Sequence, residues 1–220
     1  MADRKYNYVF FDLDGTIINT GEGVMTSVKY SLEKLGVDIP DYEDFRRFVG
    51  PPLLVSYKEF YGMDEEKARE AVRLYREFYS EKGLLMGYPY EGVMNTFKKI
   101  KDMGIKLAVA TSKPEAYSVE IAKHFGFYEY FDAICGATFD GTRDNKADVI
   151  NYAFDTLGIS GDNHSDVLMV GDRKFDIIGA KTFGMTSVGV LYGYGSKEEF
   201  EEAGADFIVE KATDVLDILV

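Results

Sequence analysis

The sequence predicts an α/β protein: a doubly wound parallel sheet with a helical unit inserted after its first strand. Three observations carry that expectation. An apolar, aromatic-rich run, Tyr8-Val9-Phe10-Phe11, stops abruptly at Asp12-Leu13-Asp14-Gly15-Thr16, as one buried strand ending in a polar turn does. From Gly92 onward, short apolar runs alternate with helical patterns, the rhythm of βαβ units on a parallel sheet. Between these regions, from Thr16 to Lys106, strand patterning disappears and the apolar residues recur at helical spacing.

Each element follows from local signals. In the inserted stretch, Val24, Val28, Leu32 and Leu35 lie on one helical face, and Gly36 is placed to end that helix. Asp64 caps a second helix with apolar face Ala68, Ala71, Val72, Tyr75, Phe78 and Tyr79, and Glu65 and Glu66 favour its positive end. Shorter helical pieces are expected over 41–48 and 52–61. These limits give a core of 1–17 and 88–220 and a helical-bundle cap of 18–87, joined through 17–23 and 82–89, whose glycine and turn residues suit hinges. In the second half the pattern predicts helices over 92–103, 114–125, 146–157, 175–183, 197–203 and 212–219. They alternate with strands over 106–111, 131–135, 166–171, 187–190 and 207–209. Leu107-Ala108-Val109-Ala110 and Val167-Leu168-Met169-Val170 are continuous apolar runs, as strands buried on both faces require.

Composition excludes several function classes. A chain of 220 residues with 46% hydrophobic content can bury a sizeable core. Its net charge of −13 argues against nucleic acid and anionic membrane surfaces as partners, since both need a basic footprint. Cys135 is the sole cysteine, so no disulfide forms within the chain and a reducing, cytoplasmic home is expected. The first residues pass from charged to a short apolar run ending in acids, unlike a signal peptide or anchor. No apolar stretch approaches the roughly 20 residues that span a bilayer. A wholly solvated, acidic cap face is compatible with a monomer.

Ligands of open α/β sheets bind just beyond the carboxyl ends of the strands. The residues placed there are Asp12 and Asp14 after the first strand, Thr111 and Ser112 after the second, Asp172 after the run ending at Gly171, and Asp176 one helical turn on. Lys146 opens the helix after the 136–145 loop. Carboxylates converging in this way imply a hard cation, and an all-oxygen set with open positions suits Mg²⁺, which also binds substrate phosphate oxygens. Thr111 and Lys146 are suited to donate to those oxygens. Asp12 is suited to act as nucleophile and Asp14 as general acid and then base.

These residues resemble the haloacid dehalogenase (HAD) superfamily, subfamily IA, whose Rossmann-like core carries a helical cap. Asp12-Leu13-Asp14-Gly15-Thr16 resembles the family's first motif, Thr111 its second, Lys146 its third and Gly171-Asp172-Arg173-Lys174-Phe175-Asp176 its fourth, and the likeness covers essentially the whole chain. The resemblance implies a Mg²⁺-dependent phosphatase working through an aspartyl-phosphate. Asp12, Asp14 (through its backbone carbonyl) and Asp172 would be metal ligands, and Asp176 would orient Lys146 or a metal-bound water. Family dehalogenases lack an acid two positions after the nucleophile, so Asp14 favours phosphoryl transfer. Longer stretches, VGPPL, ATSKP, FDGTRDNKADVI, GDRKFDIIGA and GVLYGYGS, are similar to the branch labelled 5′-nucleotidase-like or phosphoglycolate phosphatase-like. A nucleoside 5′-monophosphate or another small phosphomonoester is the expected substrate. A phosphomutase related to β-phosphoglucomutase and a catalytically silent module on the same fold are the alternatives.

Candidate substrate contacts are Thr16, Ser112, Lys113 and Arg143 in the core and Arg47 and Gly50 in the cap. The cap loop around Arg46-Arg47-Phe48-Val49-Gly50 is the stretch the resemblance implies should face the active site. Phe48, Tyr57, Phe60 and Tyr61 offer faces for a nucleobase or a packed cap interior. Tyr192-Gly193-Tyr194-Gly195 borders the same end of the sheet.

Overall fold

The computed structural model describes residues 5–39, 41–161 and 164–220, which form two compact units, Met1–Ile18 with Pro89–Val220, and Asn19–Tyr88. In chain order the elements begin with β1 (Tyr8–Phe11), β2 (Ile18–Asn19), α1 (Gly21–Lys34), α2 (Leu53–Tyr61), α3 (Glu65–Phe78) and β3 (Tyr88–Pro89). They continue with α4 (Val93–Asp102), β4 (Lys106–Pro114), α5 (Glu115–His124), β5 (Ala133–Ala137), α6 (Lys146–Leu157) and β6 (Val167–Gly171). The chain closes with α7 (Lys174–Thr182), β7 (Thr186–Val190), α8 (Lys197–Ala203), β8 (Phe207–Val209) and α9 (Val215–Ile218).

The first unit is built on a six-stranded parallel sheet in the order β5-β4-β1-β6-β7-β8. The chain runs outward from β1 through β4 to β5, then returns to β6 on the other side of β1, so the strand order reverses at the centre of the sheet. Reversals of this kind open the crevice where α/β proteins bind ligands. Register fixes what lies beside it. Phe11 pairs with Val109 on one side and Val170 on the other, so the residues just past β1 and β6 emerge together. The central strands are apolar on both faces and wholly buried: Val9, Phe10, Leu107, Ala108, Val109, Leu168, Met169 and Val170 are all 0% exposed. Cys135 is buried in this core, and burial lifts its thiol to about 11.

The second unit packs α1 beside α3 around Phe45, Phe48 and Tyr57. Asp64 caps α3 by accepting from the Lys67 N–H at 2.8 Å, and Gly36, at φ +63°, follows α1 as its pattern requires. Where Gly23 of α1 meets Gly83, a Cβ on Gly23 would lie 2.1 Å from the Gly83 carbonyl oxygen. Two backbones thus touch where no side chain fits.

Several boundaries differ from the sequence reading, each for a local reason. The 41–48 stretch is a 3-10 helix, Tyr42–Phe48, capped by Asp41. The expected strand over 131–135 starts two residues later at Ala133, because Tyr128–Tyr130 coils into a 3-10 turn and the Asp132 N–H bonds back to the Leu107 carbonyl. The 106–111 strand continues to Pro114 through an irregularity in its pairing with β5. The 17–23 and 82–89 connections carry a two-stranded ribbon, β2 with β3, and the chain enters it after a π-helical turn at Tyr79–Gly83. Two-residue strands are too short to leave a period-2 signal.

Candidate active site

Three strand ends converge on one group of buried polar residues. Asp12 follows β1, held by its N–H on the Val170 carbonyl at 2.9 Å. Asp172 follows β6. Thr111 sits near the end of β4 and is 2% exposed. Asp176 lies in the first turn of α7, where its carboxylate accepts from the Arg173 N–H at 3.1 Å. Lys146 is the first residue of α6, whose N-cap Asn145 accepts from the Asp148 N–H.

Lys146 is the hub. Its ammonium lies 2.8 Å from Asp12 Oδ1 and 2.7 Å from Asp176 Oδ1, and it donates to the Ala110 carbonyl at 2.9 Å. Gly179 makes room for its stem, since a Cβ there would come within 2.8 Å of the Lys146 side chain. Asp12, Asp172 and Asp176 bring carboxylate oxygens within 4.8 Å of one another, all buried. Three acids thus face one ammonium. The imbalance shows in Lys146, Asp172 and Asp176. Burial alone would pull the Lys146 ammonium down, but Asp12 and Asp176 outweigh it and hold it above its usual range. Burial, then the charges of Asp12 and Asp176, push the Asp172 carboxyl well above its ordinary value. Asp176 is also pushed up, by burial and Asp12, in spite of the ion pair with Lys146.

Asp172 tests whether a cation belongs here. Its Oδ2 accepts from the Tyr194 N–H at 2.8 Å, whereas its Oδ1 is buried with no protein partner. A buried carboxylate oxygen without a donor is costly unless a ligand completes it. An all-oxygen set whose three carboxylates outnumber its one ammonium fits a hard divalent cation.

Asp14 is treated differently. Its two oxygens accept from Lys113 Nζ at 3.1 and 2.9 Å, and the Lys113 side chain is only 5% exposed. Lys113, a candidate substrate contact from the sequence, is the ionic partner of Asp14, and its own N–H bonds to Thr111 Oγ1 at 3.2 Å. Directly after Asp14, Gly15 adopts φ +81°, and a Cβ there would lie 2.0 Å from Asp172 Oδ2, so only glycine fits. Thr16 is fully buried and its carbonyl accepts from the Tyr192 hydroxyl at 3.0 Å. Ser112 is half-buried beside Thr111.

The remaining sequence candidates have other surroundings. Arg143 donates through Nε to the Gly136 carbonyl at 2.8 Å and through a terminal nitrogen to Glu115 at 3.1 Å, and it stacks 3.6 Å from the Tyr152 ring centroid. Its geometry is that of a brace for the loop that delivers Lys146. Arg47 and Gly50 belong to the second unit. Arg47 lies 4.4 Å over the Phe60 ring, and Gly50 has φ +103°. Phe48 and Tyr57 are buried in that unit's interior, with Phe60 and Tyr61 packed against Phe48.

One contribution escaped the sequence reading, that of Lys113 as the partner of Asp14. The 192–195 loop, expected to border this end of the sheet, meets it through the Tyr194 N–H on Asp172 Oδ2.

Comparison with known proteins gives a consistent picture. A family model described as haloacid dehalogenase-like hydrolase matches residues 9–190. The chain is 40% identical over 198 residues to a 5′-nucleotidase of Pseudomonas aeruginosa, covering 90% of this chain and 88% of that protein. It is 34% identical over 205 residues to tyrosine-protein kinase PtkA of Mycobacterium tuberculosis, covering 93% of this chain and 69% of that protein. Among solved structures, that of a predicted phosphatase from Clostridium acetobutylicum superposes with a TM-score of 0.91 at 44% identity, covering 96% and 99% of the two chains. No helix among the described residues is long and apolar enough to cross a membrane.

Proposed function

This chain belongs to the haloacid dehalogenase-like hydrolase family and is a hydrolase of phosphoric monoesters, and from that premise we propose a Mg²⁺-dependent phosphatase acting on a nucleoside 5′-monophosphate or a similarly small phosphomonoester. The observation that supports it best is the Asp12–Lys146–Asp176 ion-pair chain beside Asp172, whose Oδ1 lacks a protein partner. The nucleotide preference rests on the similarity to the Pseudomonas aeruginosa 5′-nucleotidase.

Asp12 is the nucleophile. Its carboxylate attacks phosphorus and the ester oxygen departs, leaving an aspartyl-phosphate. Lys146 holds Asp12 Oδ1 at 2.8 Å, which fixes the carboxylate and leaves its other oxygen for attack. Asp14 gives a proton to the departing oxygen and then takes one from the water that hydrolyses the acyl phosphate. Lys113 fixes Asp14 between these duties. Thr111 donates its hydroxyl to a phosphate oxygen. Asp12, Asp172 and the backbone carbonyl of Asp14 would hold the Mg²⁺, which when bound offsets the negative charge of the phosphate and the acids around it. Asp176 keeps Lys146 in place.

Phosphate release from a panel of nucleoside monophosphates, phosphoglycolate, sugar phosphates and pyrophosphate, with Mg²⁺ and with EDTA, tests the reading. Metal-dependent release concentrated on nucleoside monophosphates is expected. Asp12→Asn should keep the fold and lose turnover; retention of most Mg²⁺-dependent activity by that variant would sink the assignment.

A further inference from the structure

The reaction above makes no use of Tyr192-Gly193-Tyr194-Gly195, yet this loop closes on Asp172 from three directions. The Tyr194 N–H donates to Asp172 Oδ2 at 2.8 Å. Gly193 is pressed so close that a Cβ would lie 2.4 Å from Asp172 Cβ, 2.4 Å from the Gly15 carbonyl oxygen and 2.7 Å from Asp172 Oδ2. Gly195 lies against the same residue's backbone, where a Cβ would come within 2.2 Å of the Asp172 carbonyl oxygen. The Tyr192 hydroxyl ties the loop to the Thr16 carbonyl at 3.0 Å, beside the turn that carries Asp12 and Asp14. The two oxygens of Asp172 consequently have unequal surroundings. Oδ2 has a backbone donor, and Oδ1, on a residue 0% exposed, has none.

We propose that the 192–195 loop is a positioning clasp for the cation site: it occupies Asp172 Oδ2 and thereby commits Oδ1 to the divalent cation. A carboxylate with both oxygens unheld rotates about its terminal bond and presents either one. One held by a rigid amide on one side is oriented before the ion arrives, as outer partners of metal ligands orient them. Backbone is used because the approach is too close for any side chain at 193 or 195. The inference rests on Asp172 being a ligand of the cation.

Mg²⁺ titration by calorimetry of the full chain, with no substrate present, tests it in the wild type, Gly193→Ala, Tyr192→Phe and Gly158→Ala. Gly158→Ala is the control for lost stability, because Gly158 holds φ +66° at the C-terminal end of α6, the opposite end of that helix from Lys146, and a Cβ there meets nothing but is strained by the backbone. Gly193→Ala should weaken Mg²⁺ binding about tenfold or more, in the range seen when outer partners of metal ligands are removed. Tyr192→Phe should weaken it less, and Gly158→Ala should leave it unchanged while lowering the melting temperature in EDTA. Equal affinity in the wild type and Gly193→Ala, or an equal loss in Gly158→Ala, overturns the clasp. If Gly193→Ala does not fold, the milder Tyr192→Phe carries the test, and an unchanged affinity there overturns it. A wild type that binds no Mg²⁺ overturns the cation reading itself, an outcome distinct from equal affinities among variants that bind.

Discussion

Replacing Lys146 with methionine removes the ammonium while nearly keeping the side chain's volume. What remains is Asp12 and Asp176, formerly 2.8 and 2.7 Å from that ammonium, and Asp172 beside them, all buried. Breaking a buried ion pair from one side costs about 3–5 kcal/mol. For a chain of this size each kcal/mol moves the melting temperature by about 2–4 °C, so the variant should melt about 6–20 °C lower in EDTA at pH 8. The sign of the pH dependence follows from the acids. Asp172 and Asp176 have carboxyls raised by the fold, so the folded state binds protons more readily than the unfolded chain. Stability from these groups is fully present at low pH and drains away as pH rises through their raised values. The Lys146 ammonium is held above its usual range and stays charged across pH 5–8, so the wild type keeps its counter-charge throughout. The variant's deficit should therefore shrink on going from pH 8 to pH 5. Calorimetric melts at both values measure it. A loss under about 3 °C at pH 8, or one that does not change with pH, would refute the view that a single ammonium holds three buried acids together.

Other outcomes follow from the same geometry. Wild-type protein in EDTA should lose melting temperature between pH 5 and pH 8 as Asp172 and Asp176 ionise, and added Mg²⁺ should restore it mostly at the higher value; a metal effect of equal size at both pH values would contradict the charge imbalance. Lys113→Met frees the Asp14 carboxylate from its bidentate partner and should lower kcat by about tenfold to a hundredfold, with Lys113→Arg recovering part of the loss; a wild-type kcat in Lys113→Met would remove Lys113 from the machinery. Cys135, buried and with its thiol raised to about 11, should resist a thiol reagent at pH 7.5 until the chain is unfolded by urea; labelling without denaturant would mean that the sheet opens locally.

How much of this was readable from sequence depends on how local each signal is. Asp12, Asp172 and Lys146 could be placed at one crevice because β1, β6 and the start of α6 each announce themselves: two as continuous apolar runs, the third as a capped helix. The ribbon of β2 and β3 left no trace, since its pairing is between residues some seventy positions apart and each strand is a single pair. The partnership of Lys113 with Asp14 was hidden for a similar reason. Both residues were visible at strand ends, but the irregular end of β4, where pairing shifts between Thr111 and Pro114, turns the lysine inward, and no residue pattern encodes that shift. The bracing contacts of Arg143 were not legible, because its acceptors, Gly136 and Glu115, arrive from β5 and α5.

The ribbon has a further consequence for how such a chain can be assembled. Asn19 and Tyr88 lie side by side, the Asn19 amide donating to the Tyr88 hydroxyl at 3.0 Å. An excursion whose ends already meet imposes on the sheet only the closure entropy of a loop, which grows with the logarithm of its length, so each doubling adds about 0.6 kcal/mol. The inserted unit can therefore lengthen, shorten or exchange its helices at little thermodynamic expense to the strands that flank it. The two units can thus be inherited as separable pieces of one polypeptide.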